Sequence, residues 1–119
     1  MNSKIIRIGK DAVSEKEPIL VLFGENASTA IEDVSVLQSF NEKPADFRLK
    51  NGDEIVIGEQ IYTIEHIGKN VNHNLQSLGH ITLIFQAFNP ERFLETSVYV
   101  SPYQLPQLKV GMEIKYQSK

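Results

Sequence analysis

The segment from Lys50 to Gly68 does more than any other to limit what this chain can become. Lys50-Asn51-Gly52-Asp53 follows an extended approach at Phe47 to Leu49 and leads into Glu54-Ile55-Val56-Ile57. A second turn, Gly58-Glu59-Gln60, precedes the run Ile61 to Ile67, which Gly68 closes. Asn and Gly both tolerate positive φ, so the Asn-Gly pair reverses the chain at little steric cost. Two short apolar runs separated by turn residues predict a β-hairpin. In its second arm Tyr62, Ile64 and His66 fall on one face, with Ile61, Thr63, Glu65 and Ile67 on the other.

The same short period recurs along the chain. Lys4 to Ile8, Ile19 to Phe23, Val34 to Leu37, Thr96 to Val100 and Met112 to Tyr116 all read as strands. After Gly79 the alternation is clearest, with Ile81, Leu83 and Phe85 set against His80, Thr82 and Ile84. Between Gly24 and Asp33 one short helix is expected, capped by Asn26 or Ser28. The stretch from Gly68 to Gly79 is polar and bounded by glycines, and is expected to be a loop. The prediction is an all-β domain spanning residues 1–119, a small antiparallel barrel-like fold of about eight short strands with at most one short helix. The five prolines fall in turns or at strand starts, where a missing amide donor does no harm. Phe88 to Glu95 is long for a hairpin loop and carries two phenylalanines and a leucine, suited to capping a barrel end or docking a partner.

Charge and composition narrow the function. With 12 basic and 15 acidic residues the chain is mildly acidic. Nucleic acid and anionic membranes call for a basic surface, so basic or neutral partners are expected instead. Aromatic residues are not interleaved with a basic patch, and no nucleotide-binding glycine loop or Gly-x-Ser-x-Gly elbow occurs. There is no cysteine, which removes disulfides and thiol chemistry and fits a reducing cytoplasm. Arg7 and Lys10 break up the N-terminus as a signal segment, and no run approaches the ~18 apolar residues of a membrane span. A cytoplasmic location, with no membrane insertion, is the expectation.

Histidine is the residue type to examine for chemistry, because a neutral imidazole attacks phosphoryl groups, moves protons and binds metals. His66, His73 and His80 lie seven residues apart. Gly68 and Gly79 argue against one continuous helix carrying all three, and no second-shell pattern supports a metal site, so neither metal nor cofactor is expected. His66 reads as a partly buried histidine whose ring nitrogen meets a backbone carbonyl, and His73 as a solvated loop residue. His80 opens a strand directly after Gly79. It suits either a structural hydrogen bond closing the loop or an anion site shared with neighbouring amides.

The stretch from Gly68 to Phe85 can be written Gly, five residues, Asn74-Leu75, two residues, Leu78-Gly79-His80, one residue, Thr82-Leu83, one residue, Phe85. In that form it resembles the glucitol/sorbitol-specific IIA component of the bacterial sugar phosphotransferase system. Weaker similarity runs through Ile6-Arg7-Ile8-Gly9, Ile19 to Gly24, Gly52 to Gly68, Ser97 to Val100 and Gly111 to Tyr116. The resemblance implies a barrel-like fold and a cytoplasmic phosphocarrier. Such a carrier accepts phosphate from the histidine protein HPr and passes it to a sugar-specific IIB component, which works with the membrane component IIC.

One departure stands out. Members of that family carry Phe-Ile-His-Cys-His on the strand after the short helix, and its acceptor histidine aligns with Gln38 of Val36-Leu37-Gln38-Ser39-Phe40. A carboxamide hydrogen-bonds a phosphate but forms no transferable phosphoramidate. No histidine precedes His66, so shifting the alignment restores nothing. Two readings of function follow. In one, His80 is the relocated nucleophile, with amides near Gly79 and the side chain of Asn74 steadying the phosphate. In the other, the chain is a non-phosphorylatable binding or regulatory module. A third, a small barrel of unrelated role, requires the motif to be coincidence. Unpaired strand edges would favour a homo-oligomer.

Overall fold

The computed structural model describes residues 1–119. Eight strands close into a barrel: β1 (Asn2–Ile8), β2 (Ile19–Phe23), β3 (Val36–Phe40), β4 (Glu54–Ile57), β5 (Gln60–Ile67), β6 (Ile81–Ile84), β7 (Ser97–Ser101) and β8 (Glu113–Gln117). Around the barrel they run β1-β3-β2-β6-β7-β5-β4-β8, and β8 pairs back onto β1. The expected hairpin is β4–β5, with Ile57 opposite Gln60 and Glu54 opposite Thr63. Gly52 supplies the positive φ its approach turn needs, 92°. Because the sheet closes, every strand has two neighbours, and the edge-pairing reason for an oligomer disappears.

Two features go beyond the expected antiparallel barrel. β2 pairs β3 in parallel, and so does β6 with β7, while the other six ladders are antiparallel. A parallel pair needs a crossover connection. Helix α1 (Thr29–Val34) lies in the link between β2 and β3, where a short helix was expected, and Ser28 Oγ accepts from the amide of Ile31 at its start.

The second helix corrects the sequence reading. Residues expected to form a loop make α2 (Val71–Leu78), so the chain has two short helices rather than one at most. Only Val71 and Leu75 are buried in it, one turn apart. Its polar residues hold it to the chain between Lys43 and Leu49. Asn72 exchanges two hydrogen bonds with the backbone of Leu49, at 2.8 and 2.9 Å. Gln76 Nε2 donates to Pro44 O and Phe47 O. Polar side chains that look like loop chemistry are thus the helix's tertiary anchors.

The interior is a cluster of 19 buried apolar residues, among them Leu20, Leu22, Ile55, Ile57, Ile64, Ile81, Leu83, Val98, Val100 and Ile114. Ile81, Leu83 and Phe85 point inward as the alternation predicts. Tyr62 and Ile64 are buried as well, but the β5–β7 register shifts between Ile64 and His66. A bulge re-aims the residue that follows it. His66 consequently stacks on Phe88, ring centroids 3.7 Å apart, with Phe93 and Tyr99 edge-on. This corrects the expected backbone-carbonyl contact. Phe88 and Phe93 belong to the long loop, so His66 fastens that loop to the barrel.

Candidate functional site

The ends of β2, β3 and α2 meet at one corner of the barrel. Gly24 ends β2 and Gly79 ends α2, where Gly79 takes the left-handed conformation, φ 64°. The two backbones touch. A Cβ on Gly79 would lie 2.9 Å from Gly24 Cα, and one on Gly24 would lie 2.6 Å from Leu78 O. Only glycine at both positions lets the strand and the helix close this tightly.

Beside the contact opens a cavity of about 270 Å³. Phe23 and Phe40 line it from the strands, and Ser77, Leu78 and Gly79 from the helix. Glu25, Asn26 and Lys43 stand around it, and Gln38 is also part of its lining.

Gln38 has no exposed surface. Its Oε1 accepts from Ser3 Oγ at 2.7 Å and from Tyr116 Oη at 2.6 Å, and its Nε2 donates to Gly79 O at 3.0 Å. A buried carboxamide satisfied this way is fixed in place, since losing any partner would strand a buried polar group. Burial pushes the Tyr116 phenol far above its usual range despite its hydrogen bonds, so it stays protonated and donates. The carboxamide therefore ties β1, β3, β8 and the end of α2 together.

His80 follows Gly79 directly at this junction. Its Nδ1 is 3.2 Å from Leu22 O and its ring packs on Phe23 with centroids 4.7 Å apart. With Nδ1–H donating to that carbonyl, Nε2 keeps its lone pair. The neighbouring amides are spent: Gly79 N–H donates to Leu75 O, and His80 N–H to Asn74 O. They close the helix, as a left-handed cap does. Asn74 lies within α2 and its side chain makes no hydrogen bond; its backbone carbonyl is what reaches His80.

Of the four residues singled out from sequence, Gln38 and Gly79 are bonded to each other at the cavity. His80 adjoins through Gly79 and Phe23, and Asn74 stands back along the helix. His73 is exposed on α2, and no cluster of three metal-ligating side chains forms. Sequence reasoning missed Ser3, Tyr116, Phe40, Lys43, Glu25 and Asn26. For Ser3 and Tyr116 a signal existed, because each shares the inward face of its strand with an isoleucine, Ile5 and Ile114. A polar group on an apolar face needs a buried partner.

Known proteins share this fold. The crystal structure of a PTS system IIA component from Enterococcus faecalis V583 matches 99% of this chain and 100% of its own, with TM-score 0.93 and 38% identity. The fold and its sequence identity therefore place the chain among IIA components of the PTS system. PTS system glucitol/sorbitol-specific EIIA components of Escherichia coli K12 and Shigella flexneri are each 28% identical over 115 residues, which is 96% of this chain and 91% of theirs. The chain belongs to the PTS system glucitol/sorbitol-specific IIA component family, whose model matches residues 1–115. No helix is long and apolar enough to cross a membrane.

Proposed function

We propose that this chain is a phosphate-inert member of its family, a cytoplasmic binding or regulatory module that docks a protein of the phosphotransferase system without carrying a phosphoryl group. One observation carries the reading: Gln38, which the family resemblance sets at the acceptor position, is buried and hydrogen-bonded to Ser3, Tyr116 and Gly79. A carboxamide offers no nucleophilic nitrogen at neutral pH. Partners of such a module meet the same surface whether or not phosphate is flowing. A net charge of −3 favours a partner with a basic docking face, for which HPr and a sugar-specific IIB component are the candidates.

A second reading keeps the phosphocarrier role and moves it to His80, whose Nε2 is left free by the Nδ1 contact with Leu22 O. In that reaction Nε2 attacks the phosphoryl group on the HPr histidine, a new N–P bond forms, and the HPr imidazole leaves. Two features weigh against it. The amides at Gly79 and His80 are occupied, and the carbonyl end of α2 carries negative potential, so a phosphoryl dianion has little to hold it there.

The test is titration of the labelled chain with HPr and with phosphorylated HPr, and likewise with the IIB component, followed by NMR. The module reading predicts saturable binding to at least one of them, with equal affinity for both of its phosphorylation states and no phosphate on the chain. Phosphate arriving on the chain and vanishing in His80→Ala would replace it with the carrier reading.

A further inference from the structure

A tandem repeat is built into the barrel. Leu49-Lys50-Asn51-Gly52-Asp53-Glu54-Ile55 returns as Leu108-Lys109-Val110-Gly111-Met112-Glu113-Ile114, and Ile5 with Ile8-Gly9-Lys10 returns as Ile64 with Ile67-Gly68-Lys69. The structure repeats with it, β1 to β4 corresponding in order to β5 to β8. The parallel pair β2–β3 has its counterpart in β6–β7, and the register shift between Ile5 and Arg7 in the one between Ile64 and His66. Gly9 N donates to Ser35 O at 2.9 Å and Gly68 N to Ser97 O at 3.0 Å, while Gly52 and Gly111 take φ of 92° and 93°. The two buried side-chain oxygens without a partner, Ser35 Oγ and Ser97 Oγ, are counterparts as well. A twofold axis relates the halves. It passes through the pairs Val21–Thr82 and Val56–Lys115, in which a residue faces its own counterpart across β2–β6 and β4–β8.

The halves are interlocked rather than set side by side. Strand β4 pairs only with β5 and β8 of the second half, and β8 only with β1 and β4 of the first. Neither half closes a sheet alone, because each leaves strand edges that the other satisfies. Their covalent link is the turn Gly58-Glu59, where Gly58 takes φ 63°. If that turn opens into continuous strand, the first half of one chain closes on the second half of another with every ladder and the whole core kept. Only the turn is lost, which makes such an exchange a low-cost route to a dimer.

The seam between the halves runs through the corner cavity. Ser3, Gln38 and Phe40 come from the first half, and Leu78, Gly79 and Tyr116 from the second. At the axis-related corner Tyr62, Val100 and Ile57 replace Ser3, Gln38 and Tyr116, so each barrel has one polar corner. We infer that a second copy of this chain is a partner, taken up by exchange of halves, and that each barrel of the dimer completes its Gln38 corner with Gly79 and Tyr116 of the other copy. The same contacts form within and between chains, so protein concentration and the cost of the turn decide between monomer and dimer. The exchange is independent of whether the chain carries phosphate.

The chain has no cysteine, so a pair can be placed across the seam. Val21 and Thr82 are partly exposed and directly opposed on antiparallel strands, within reach of a disulfide. Full-length chains carrying Val21→Cys alone and Thr82→Cys alone are mixed in urea, refolded together at rising protein concentration and oxidised. The expected result is a disulfide-linked dimer of unlike chains whose share rises with concentration, with little crosslinking when either variant is refolded alone. Its amide NMR spectrum should match that of the monomeric barrel outside residues 56–61. Deleting Gly58 and Glu59 from both chains removes the residues that reverse the strand, and should convert most of the protein to a dimer of twice the parental mass. The inference is overturned if unlike chains of parental length give no disulfide at any concentration, if like chains crosslink as readily as unlike ones, or if the shortened chain is a folded monomer.

Discussion

Gln38 and His80 both adjoin the junction at Gly79, and they are built differently. Gln38 has a buried site whose partners come from β1, β8 and α2, but it lacks a nucleophile. His80 has a nucleophile, yet it stands beside amides that α2 has already used and makes one side-chain hydrogen bond, to Leu22 O. Phosphoryl transfer needs a nucleophile and a charge-stabilising cradle in one place. Here neither residue meets both needs, since Gln38 has no nucleophile and His80 no free amides beside it, which favours binding without transfer.

The sharpest way to break the contrast is to delete the carboxamide. Gln38→Leu would leave Ser3 Oγ, Tyr116 Oη and Gly79 O without their partner, and should cost about 3–5 kcal/mol in urea unfolding. An equal loss in His80→Leu would erase the distinction between the two sites. Next comes the glycine contact. Gly79→Ala strains a left-handed residue and drives a Cβ to 2.9 Å from Gly24 Cα, so a loss of about 2–3 kcal/mol is expected, and Gly24→Ala should also destabilise.

Tyr116→Phe removes one donor while Ser3 keeps Gln38 Oε1 bonded, and should cost about 1 kcal/mol. It should also change the alkaline limb of stability. Burial raises the Tyr116 and Tyr62 phenols above 10.0, so the folded state holds their protons more tightly than the unfolded chain. Their contribution is complete below the unfolded value and is lost as pH rises from about 10 towards the folded values. Denaturation titrations should show that fall, and Tyr116→Phe should make it shallower. The smallest effect belongs to His80→Ala, where loss of one partly exposed hydrogen bond and a ring contact should cost about 1 kcal/mol or less.

Much of the barrel was legible because period-2 alternation and turn glycines are local signals. The β4–β5 hairpin, the inward set Ile81, Leu83 and Phe85, and the Ser28-capped α1 all came from neighbours in sequence. What stayed hidden depends on distant partners. Helix α2 has only Val71 and Leu75 as a buried stripe, and Asn72 and Gln76 make sense only once Leu49, Pro44 and Phe47 lie beside them. The bulge that turns His66 towards Phe88 leaves no mark in the alternation. At the site, Gln38 and Gly79 were found through family resemblance. Ser3 and Tyr116, 113 residues apart, meet only when the barrel closes.

Residue 38 decides between binding and transfer, and one measurement addresses it directly. The wild-type chain and Gln38→His would be incubated in parallel with phosphoenolpyruvate, enzyme I and HPr. Intact masses would then be read under alkaline conditions that preserve phosphohistidine. The expected result is a wild-type chain with no added phosphate beside fully phosphorylated HPr, and one phosphate on the variant at residue 38. A phosphate on the wild-type chain would contradict it.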